Sequence, residues 1–355
     1  MSRVFFYLPR SGSIATPFPE FIDRWRIYLS KLLMVSSESS IVLLTDSKFE
    51  SDESSSFRVR KLPKNRLLQL VKLASIISKD HPNQTLISGN NFDALLISLI
   101  LKAIRPHLKL QASLHAEIDA INKITGPKSI IKGLILRLFL PRVNSLRLVR
   151  PQEVPKAQKL FAIPAEKIVV CPVPIEVPEN LPISQSKNIG FLGRIHSERS
   201  PEIWAQIALE LAQRRPELNF FIAGSGSDQE TMVRMLAPIE PRVHFLGHVA
   251  GPNLEKFWSS IGLLLLTAQH ESYGMAAREA LLRGKRIVAR KIDAYRGLVE
   301  VAPSLVQLFD NKEEALAIID NIDNFEINEK EVIAFRKQFE LEQNKLLEAL
   351  ARSWI

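Results

Sequence analysis

The sequence holds a single cysteine, Cys171, in 355 residues. That excludes an internal disulfide framework and fits a reducing compartment. Set in "KIVVCPVP", it reads as a small buried hydrophobe in a strand, not as a nucleophile. No apolar run reaches the roughly 20 residues needed to cross a bilayer; "FDALLISLILKAI" is among the longest and stops short. "MSRVFFYLPRSG" has too brief an apolar run for a secretory leader. The expected location is therefore the cytosol. Asp-x-Asp is absent, and no clustered His, Cys and Asp set points to a resident metal or cofactor. No Ser/His/Asp hydrolase arrangement is legible either. Between 120 and 152 acid is missing altogether, while seven bases occur: Lys123, Lys128, Lys132, Arg137, Arg142, Arg147 and Arg150.

Charge is correspondingly one-sided. Residues 1–180 carry 26 Lys+Arg against 15 Asp+Glu, a net of +11; the rest is slightly acidic, and the whole chain stands at +9. Such asymmetry points to an anionic partner for the first half alone. In a helix over 128–139 the bases would form one edge beside Ile130, Leu134 and Leu138, a composition suited to an anionic membrane surface or a lipid phosphate. The plainer alternative is a packed helix with a solvated basic edge. Nucleic acid is not expected, because Trp, Tyr and Phe do not interleave with these bases.

The length fits two domains. In the second half, short apolar runs alternate with amphipathic ones: "NIGFLGR", "LNFFIAG", "RVHFLG", "IGLLLLTA" and "KRIVAR" read as strands. "PEIWAQIALELAQRR", "DQETMVRML", "PNLEKFWSS" and the stretch after Gly274 read as helices. Strands that are apolar throughout are buried on both faces, which predicts a parallel sheet between two helix layers. The first half repeats the pattern with strands in "RVFFYLP", "SIVLLTD", "TLISG", "KLQASLH", "SLRLVR" and "KIVVCPVP", and with helices near 17–35, 65–79, 91–104, 128–139 and 153–161. "CPVPIEVPENLPISQSKN", with its prolines, reads as a linker. The expectation is two doubly wound, Rossmann-like α/β domains facing across a cleft, 1–178 and 187–330, with a helix at 331–355 packing back on the first domain.

Ligands of open α/β sheets bind beyond the carboxyl ends of the strands, and the residues of interest stand there. "HESYGMAAREALLRG" places Glu271 and Glu279 eight apart around Gly274. A helix starting near Gly274 would offer free N–H groups and its dipole to an anion. The two carboxylates would flank that anion, roughly 10–12 Å apart at helical rise, and accept bonds from paired hydroxyls. A solvated helix face with ordinary acids is the alternative. In "FLGRIHSERSPE", Arg194 and Arg199 share one strand-to-helix loop, where two guanidinium groups can neutralise a diphosphate. "FIAGSGS" adds Gly224 and Gly226 at a further strand end, without the third glycine of a dinucleotide fingerprint.

On these residues the segment 187–300 resembles the donor domain of retaining family 4 glycosyltransferases of GT-B architecture (glycosyl transferases group 1). The resembling features are Glu271 and Glu279 with Gly274 between, Gly193-Arg194 with Arg199 five residues on, and "FLGHV" at 245–249. The resemblance implies that Arg194 and Arg199 hold the diphosphate and that His248 and Val249 lie by the nucleobase. It implies that Glu271 meets sugar hydroxyls, that Glu279 meets the ribose, and that Gly274 with Met275 offers backbone N–H groups; Ser272 and Tyr273 of the same turn are further candidates for binding the donor. It further implies a role near the reacting carbon for His115, at the end of "KLQASLH", and a phosphate-side loop at Gly12. Ser200 stands where the family has Gly, Thr267-Ala268 where it has Pro-Ser, and Arg286 where it has Pro.

The expected function is a retaining, metal-independent hexosyltransferase. It would move sugar from a nucleotide-diphosphate donor to a glycan or lipid-linked acceptor in cell-envelope or exopolysaccharide synthesis, with peripheral contact at the inner face of the plasma membrane. The alternatives are a catalytically silent scaffold on the same fold and a nucleotide-sugar epimerase.

Overall fold

The structure, a computed structural model, describes residues 2–9, 18–46, 57–77, 83–88, 92–114, 118, 127–178, 186–321 and 327–355. Two compact units divide the chain: Met1–Pro174 with Glu342–Ile355, and Ile175–Leu341. The second unit begins at Ile175, ahead of the 187 read from sequence, because Ile175 is buried in that unit's core.

The first unit runs β1 (Arg3–Tyr7), α1 (Phe18–Val35), β2 (Ser40–Thr45), β3 (Phe57–Lys61), α2 (Arg66–Ile76), β4 (Gln84–Ser88), α3 (Phe92–Ile104), β5 (Lys109–Leu114), α4 (Pro127–Phe139), β6 (Ser145–Leu148), α5 (Val154–Phe161) and β7 (Ile168–Val170). Its strands are parallel in the order β3-β2-β1-β4-β5-β6-β7. Phe5, Tyr7, Val42 and Leu44 face one layer, and Val4, Phe6, Ile41 and Leu43 the other. Alternate side chains thus enter two apolar cores, which is why the strands read as unbroken hydrophobic runs.

The second unit runs β8 (Ile189–Leu192), α6 (Pro201–Arg214), β9 (Phe220–Ala223), α7 (Gln229–Leu236), β10 (Val243–Gly247), α8 (Pro252–Ser260), β11 (Leu263–Leu266), α9 (Met275–Leu282), β12 (Arg286–Arg290), α10 (Asp293–Val301), β13 (Val306–Phe309), α11 (Lys312–Asp320) and the start of α12 (Glu329–Arg352). The parallel order is β10-β9-β8-β11-β12-β13. One core centres on Trp204 of α6, set edge-on to Phe191 and Phe220 at 5.9 and 6.2 Å. The opposite face packs Leu264, Leu266, Ile287 and Ala289 against Ala280 and Tyr295.

The last residues of the chain close the first unit's sheet. Trp354 is buried, sits edge-on to Phe6 at 5.3 Å, and donates its indole N–H to Gln111 Oε1 at 3.0 Å. Its carbonyl accepts the Thr85 hydroxyl at 2.6 Å.

The basic stretch is not one surface. Arg147 is buried: its guanidinium donates to the Cys171 and Pro172 carbonyls at 2.9 and 2.7 Å and to the Tyr28 hydroxyl at 2.7 Å. Arg150 is buried against Glu153 at 2.9 Å. These two bases serve the core and are corrected from the expected anionic-partner face, whereas Arg137 and Arg142 are exposed. Cys171 is buried just past β7, and burial pushes its thiol pKa up. Among the described residues, no helix is long and apolar enough to cross a membrane.

Candidate functional site

Parallel strands deliver their carboxyl ends to one edge of the sheet, and in the second unit the loops after β8, β9 and β11 meet there. The loop after β8 is fixed on both sides. On one, Gly193 N donates to Ala223 O, Ile195 N donates to Ser225 O, and Asp228 N donates to Ile195 O, all near 3.0 Å. The approach is so close that a Cβ on Gly224 would lie 1.8 Å from the Gly193 carbonyl oxygen. The space that Gly224 leaves is therefore filled by the neighbouring loop. On the other side, the buried Thr267 hydroxyl, just past β11, lies against two carbonyls, Arg199 O at 2.8 Å and Ser200 O at 3.1 Å. Gln269 N adds a bond to Glu198 O at 3.1 Å.

This bracing sets Arg199 over Gly193 and against the acid of the next loop. Its Nη1 pairs with Glu271 Oε2 at 2.5 Å, the two side chains being 23% and 12% exposed. Glu271 Oε1 also accepts the Ser272 N–H at 3.0 Å. Both side chains are largely withdrawn from water, where a charge pair is screened far less than at the surface. The Ser200 that follows adopts a left-handed backbone, φ 47°, and caps α6 without a side-chain bond.

Beyond Glu271 the chain turns through Gly274, whose φ of 71° is left-handed, and enters α9. The first N–H groups of α9 have no partner within the helix and project from its positive end. Gly274 is also crowded: an added Cβ would lie 2.8 Å from Tyr295 Cε1 and 3.4 Å from Arg278 Nη1. Arg278 donates to the Tyr273 carbonyl and stacks its guanidinium on the Tyr273 ring, 3.9 Å from the centroid. Burial holds its pKa below the ordinary guanidinium value. Tyr295 of α10 is fully buried, and its hydroxyl has no hydrogen-bond partner among the described residues. Burial, and next the charge of Glu271, push its pKa up.

Of the residues singled out from sequence, the structure thus brings together Arg199, Glu271, Ser272, Tyr273, Gly274 and Met275, with Gly193 beneath. Glu279 lies in the second turn of α9, partly buried. Arg194 does not join them: it is half exposed and pairs with Glu198 at 3.3 Å. His248 is exposed past β10, and Val249 packs on the core beneath. His115 and Gly12 lie outside the described residues. Thr267, Arg278 and Tyr295 escaped the sequence reading. Thr267 was visible only as a departure from the expected Pro, Arg278 as one more polar helix residue, and Tyr295 as part of an unassigned segment. Among the described residues no group of three or more His, Cys, Asp or Glu is placed to hold a metal ion.

Two parallel α/β units with these sheet orders make the GT-B fold. Residues 186–324, within the second unit, match the family model of the glycosyl transferases group 1. The 2-deoxystreptamine glucosyltransferase of Streptomyces kanamyceticus is 27% identical over 159 residues, 44% of this chain and 36% of that protein. The chain spans about a third of the length of the curated relatives it matches. Solved structures extend the likeness to the whole chain at the level of fold. A glycosyltransferase from Rickettsia africae superposes with TM-score 0.73 at 14% identity, covering 99% of this chain and 97% of that one. Anabaena HepE in complex with UDP gives 0.67 at 15%, covering 99% and 94%.

Proposed function

We propose that this protein is a retaining glycosyltransferase that moves a hexosyl group from a nucleotide-diphosphate sugar to a glycan or lipid-linked acceptor. The observation that carries the reading is the meeting of Arg199 and Glu271 beside the positive end of α9. A guanidinium and a turn of amides match a diphosphate, and a carboxylate matches sugar hydroxyls. The relatives' names and the UDP bound by HepE support the same substrate class.

In transfer, the bond from the sugar's anomeric carbon to the phosphate oxygen breaks and its electron pair stays on the diphosphate. The acceptor hydroxyl oxygen bonds to that carbon and passes its proton to the departing phosphate oxygen. Arg199 and the α9 amides oppose the charge that grows on the leaving group, a role a divalent ion fills elsewhere. Glu279, further along α9, is assigned to the ribose. The acceptor is assigned to the first unit. There α4 exposes Ile131, Leu134, Leu138 and Phe139 beside Arg137 and Arg142, a composition suited to the surface of an anionic membrane on which a lipid-linked acceptor in envelope or exopolysaccharide synthesis would sit.

The test is turnover of UDP-, GDP- and ADP-sugars, with the anomer formed read by NMR. Arg199→Ala should slow release of the nucleoside diphosphate by about 100-fold or more. An unchanged rate in that variant would reject the assignment. A silent scaffold is favoured by one feature, the occupation of Arg199 by Glu271 in the free protein; binding of a nucleotide sugar with no hydrolysis or transfer would select it.

A further inference from the structure

Resting on the reading above, a difficulty becomes an assignment. Arg199 Nη1 cannot both hold Glu271 at 2.5 Å and face a diphosphate. When the donor draws Arg199 away, Glu271 is left as a carboxylate only 12% exposed, and stranding a buried charge is strongly unfavourable. The Ser272 N–H holds only Oε1, so the oxygen that Arg199 leaves needs another donor nearby. Arg278 is a poor candidate, because its Nη1 is bound to the Tyr273 carbonyl and its plane is stacked on the Tyr273 ring. Tyr295 fits. Its ring lies against Gly274, three residues from Glu271. Its hydroxyl is buried, has no partner among the described residues, and lies within the field of the Glu271, Arg199 and Arg278 charges. Unpartnered buried hydroxyls are rare in folded proteins and call for a reason.

We infer that Tyr295 is the positioning residue of Glu271: on donor binding the Tyr295 hydroxyl donates to the Glu271 carboxylate in place of Arg199. Glu271 Oε2 is thus held by Arg199 in the free protein and by Tyr295 in the loaded one, while Oε1 keeps the Ser272 N–H in both. The carboxylate stays fixed, and the remaining lone pairs of its oxygens can accept from a sugar hydroxyl. Tyr295 stays protonated throughout; the exchange moves a hydrogen bond, not a proton.

The experiment uses the full chain and three variants: Tyr295→Phe, Glu271→Ala and the double substitution. Titration with UDP, GDP and ADP identifies which nucleoside diphosphate the wild type binds. Tyr295→Phe should leave the melting temperature of the free protein unchanged or raised, since it removes a hydroxyl that bonds to nothing. It should weaken binding of that nucleotide about tenfold, and should add no further loss in the Glu271→Ala background, where no acceptor is left. A fall in the free protein's melting temperature would show that the hydroxyl is already partnered and would overturn the assignment. So would unchanged nucleotide affinity, or a loss that persists without the Glu271 carboxylate. Failure of the wild type to bind any of the three would instead overturn the donor-site reading, and this inference with it.

Discussion

Ser200→Gly is expected to stabilise the second unit, and the size of the effect follows from three terms. Ser200 is held at φ 47°, ψ 57°, a conformation that costs an L-residue roughly 1–2 kcal/mol and glycine almost nothing. Its hydroxyl is buried without a partner among the described residues, a state worth about 1–3 kcal/mol of destabilisation. Glycine gives back about 0.4–1 kcal/mol through the greater freedom of the unfolded chain. The balance favours glycine by at least about 1 kcal/mol, which for a unit of this size raises the melting temperature by about 2–4 °C per kcal/mol. The assay is thermal and denaturant unfolding, where the midpoint should rise with the slope unchanged. A midpoint that stays or falls would refute the reasoning, because it would mean that Ser200 is either unstrained or bonded.

Other outcomes follow from the same structure. Thr267→Val keeps the side chain's shape but deprives the Arg199 and Ser200 carbonyls of a donor; it should cost about 1–3 kcal/mol and lower the transfer rate, with Thr267→Ser restoring both, and equal rates in all three proteins would exclude a positioning role. Lys285 is buried, its ammonium held on the Ile261 carbonyl at 2.8 Å, and burial followed by the charge of Arg283 brings its pKa from 10.5 down to about 8. Between those values the unfolded chain binds the extra proton, so stability should rise with pH from about 8 to 10.5, the penalty being complete below 8. The unfolding midpoint of wild type should accordingly climb relative to Lys285→Met across that window, and parallel curves would contradict it. Trp354→Ala should cost the first unit about 3–5 kcal/mol while the second unit's melting stays in place; a loss below 1 kcal/mol would deny that the tail closes the sheet.

Much of this architecture is legible in the sequence for one physical reason. Strands buried on both faces are apolar at every position, as in "GLLLLT" around β11, and parallel sheets with helices on both sides produce such runs. What escaped does not carry that signature. β3, "FRVRK", alternates buried and exposed positions at the edge of its sheet, and β13, "VQLF", is short and half covered. α10 is a different case: Ala294, Tyr295 and Leu298 recur at helical spacing and form its buried face, so the amphipathic signal is present in the sequence, and Gly297 within it is what speaks against a helix. Arg147 shows the limit of counting charges, since it alternates with Leu146 and Leu148 in a strand whose every residue is buried.

The candidate site divides the same way. Position at a strand end was readable for Arg199 and Glu271. Their contact was not, because spacing along the chain does not say which strands are neighbours. β8 and β11 pair directly, Leu263 beside Ile189, and that adjacency brings together loops some 70 residues apart in sequence. Arg194 looked equivalent to Arg199 by composition, yet it lies on the water side of the loop and spends its charge on Glu198.

The central claim is that Arg199, Glu271 and the start of α9 receive a nucleoside diphosphate bearing a sugar. Calorimetric titration of the wild type and Arg199→Ala with UDP, GDP, ADP and their glucose conjugates tests it most directly. The expected result is saturable binding of one nucleotide series to the wild type, with the sugar conjugate discriminated from the bare diphosphate, and marked weakening in the variant. No binding of any series, or equal binding by both proteins, would contradict it.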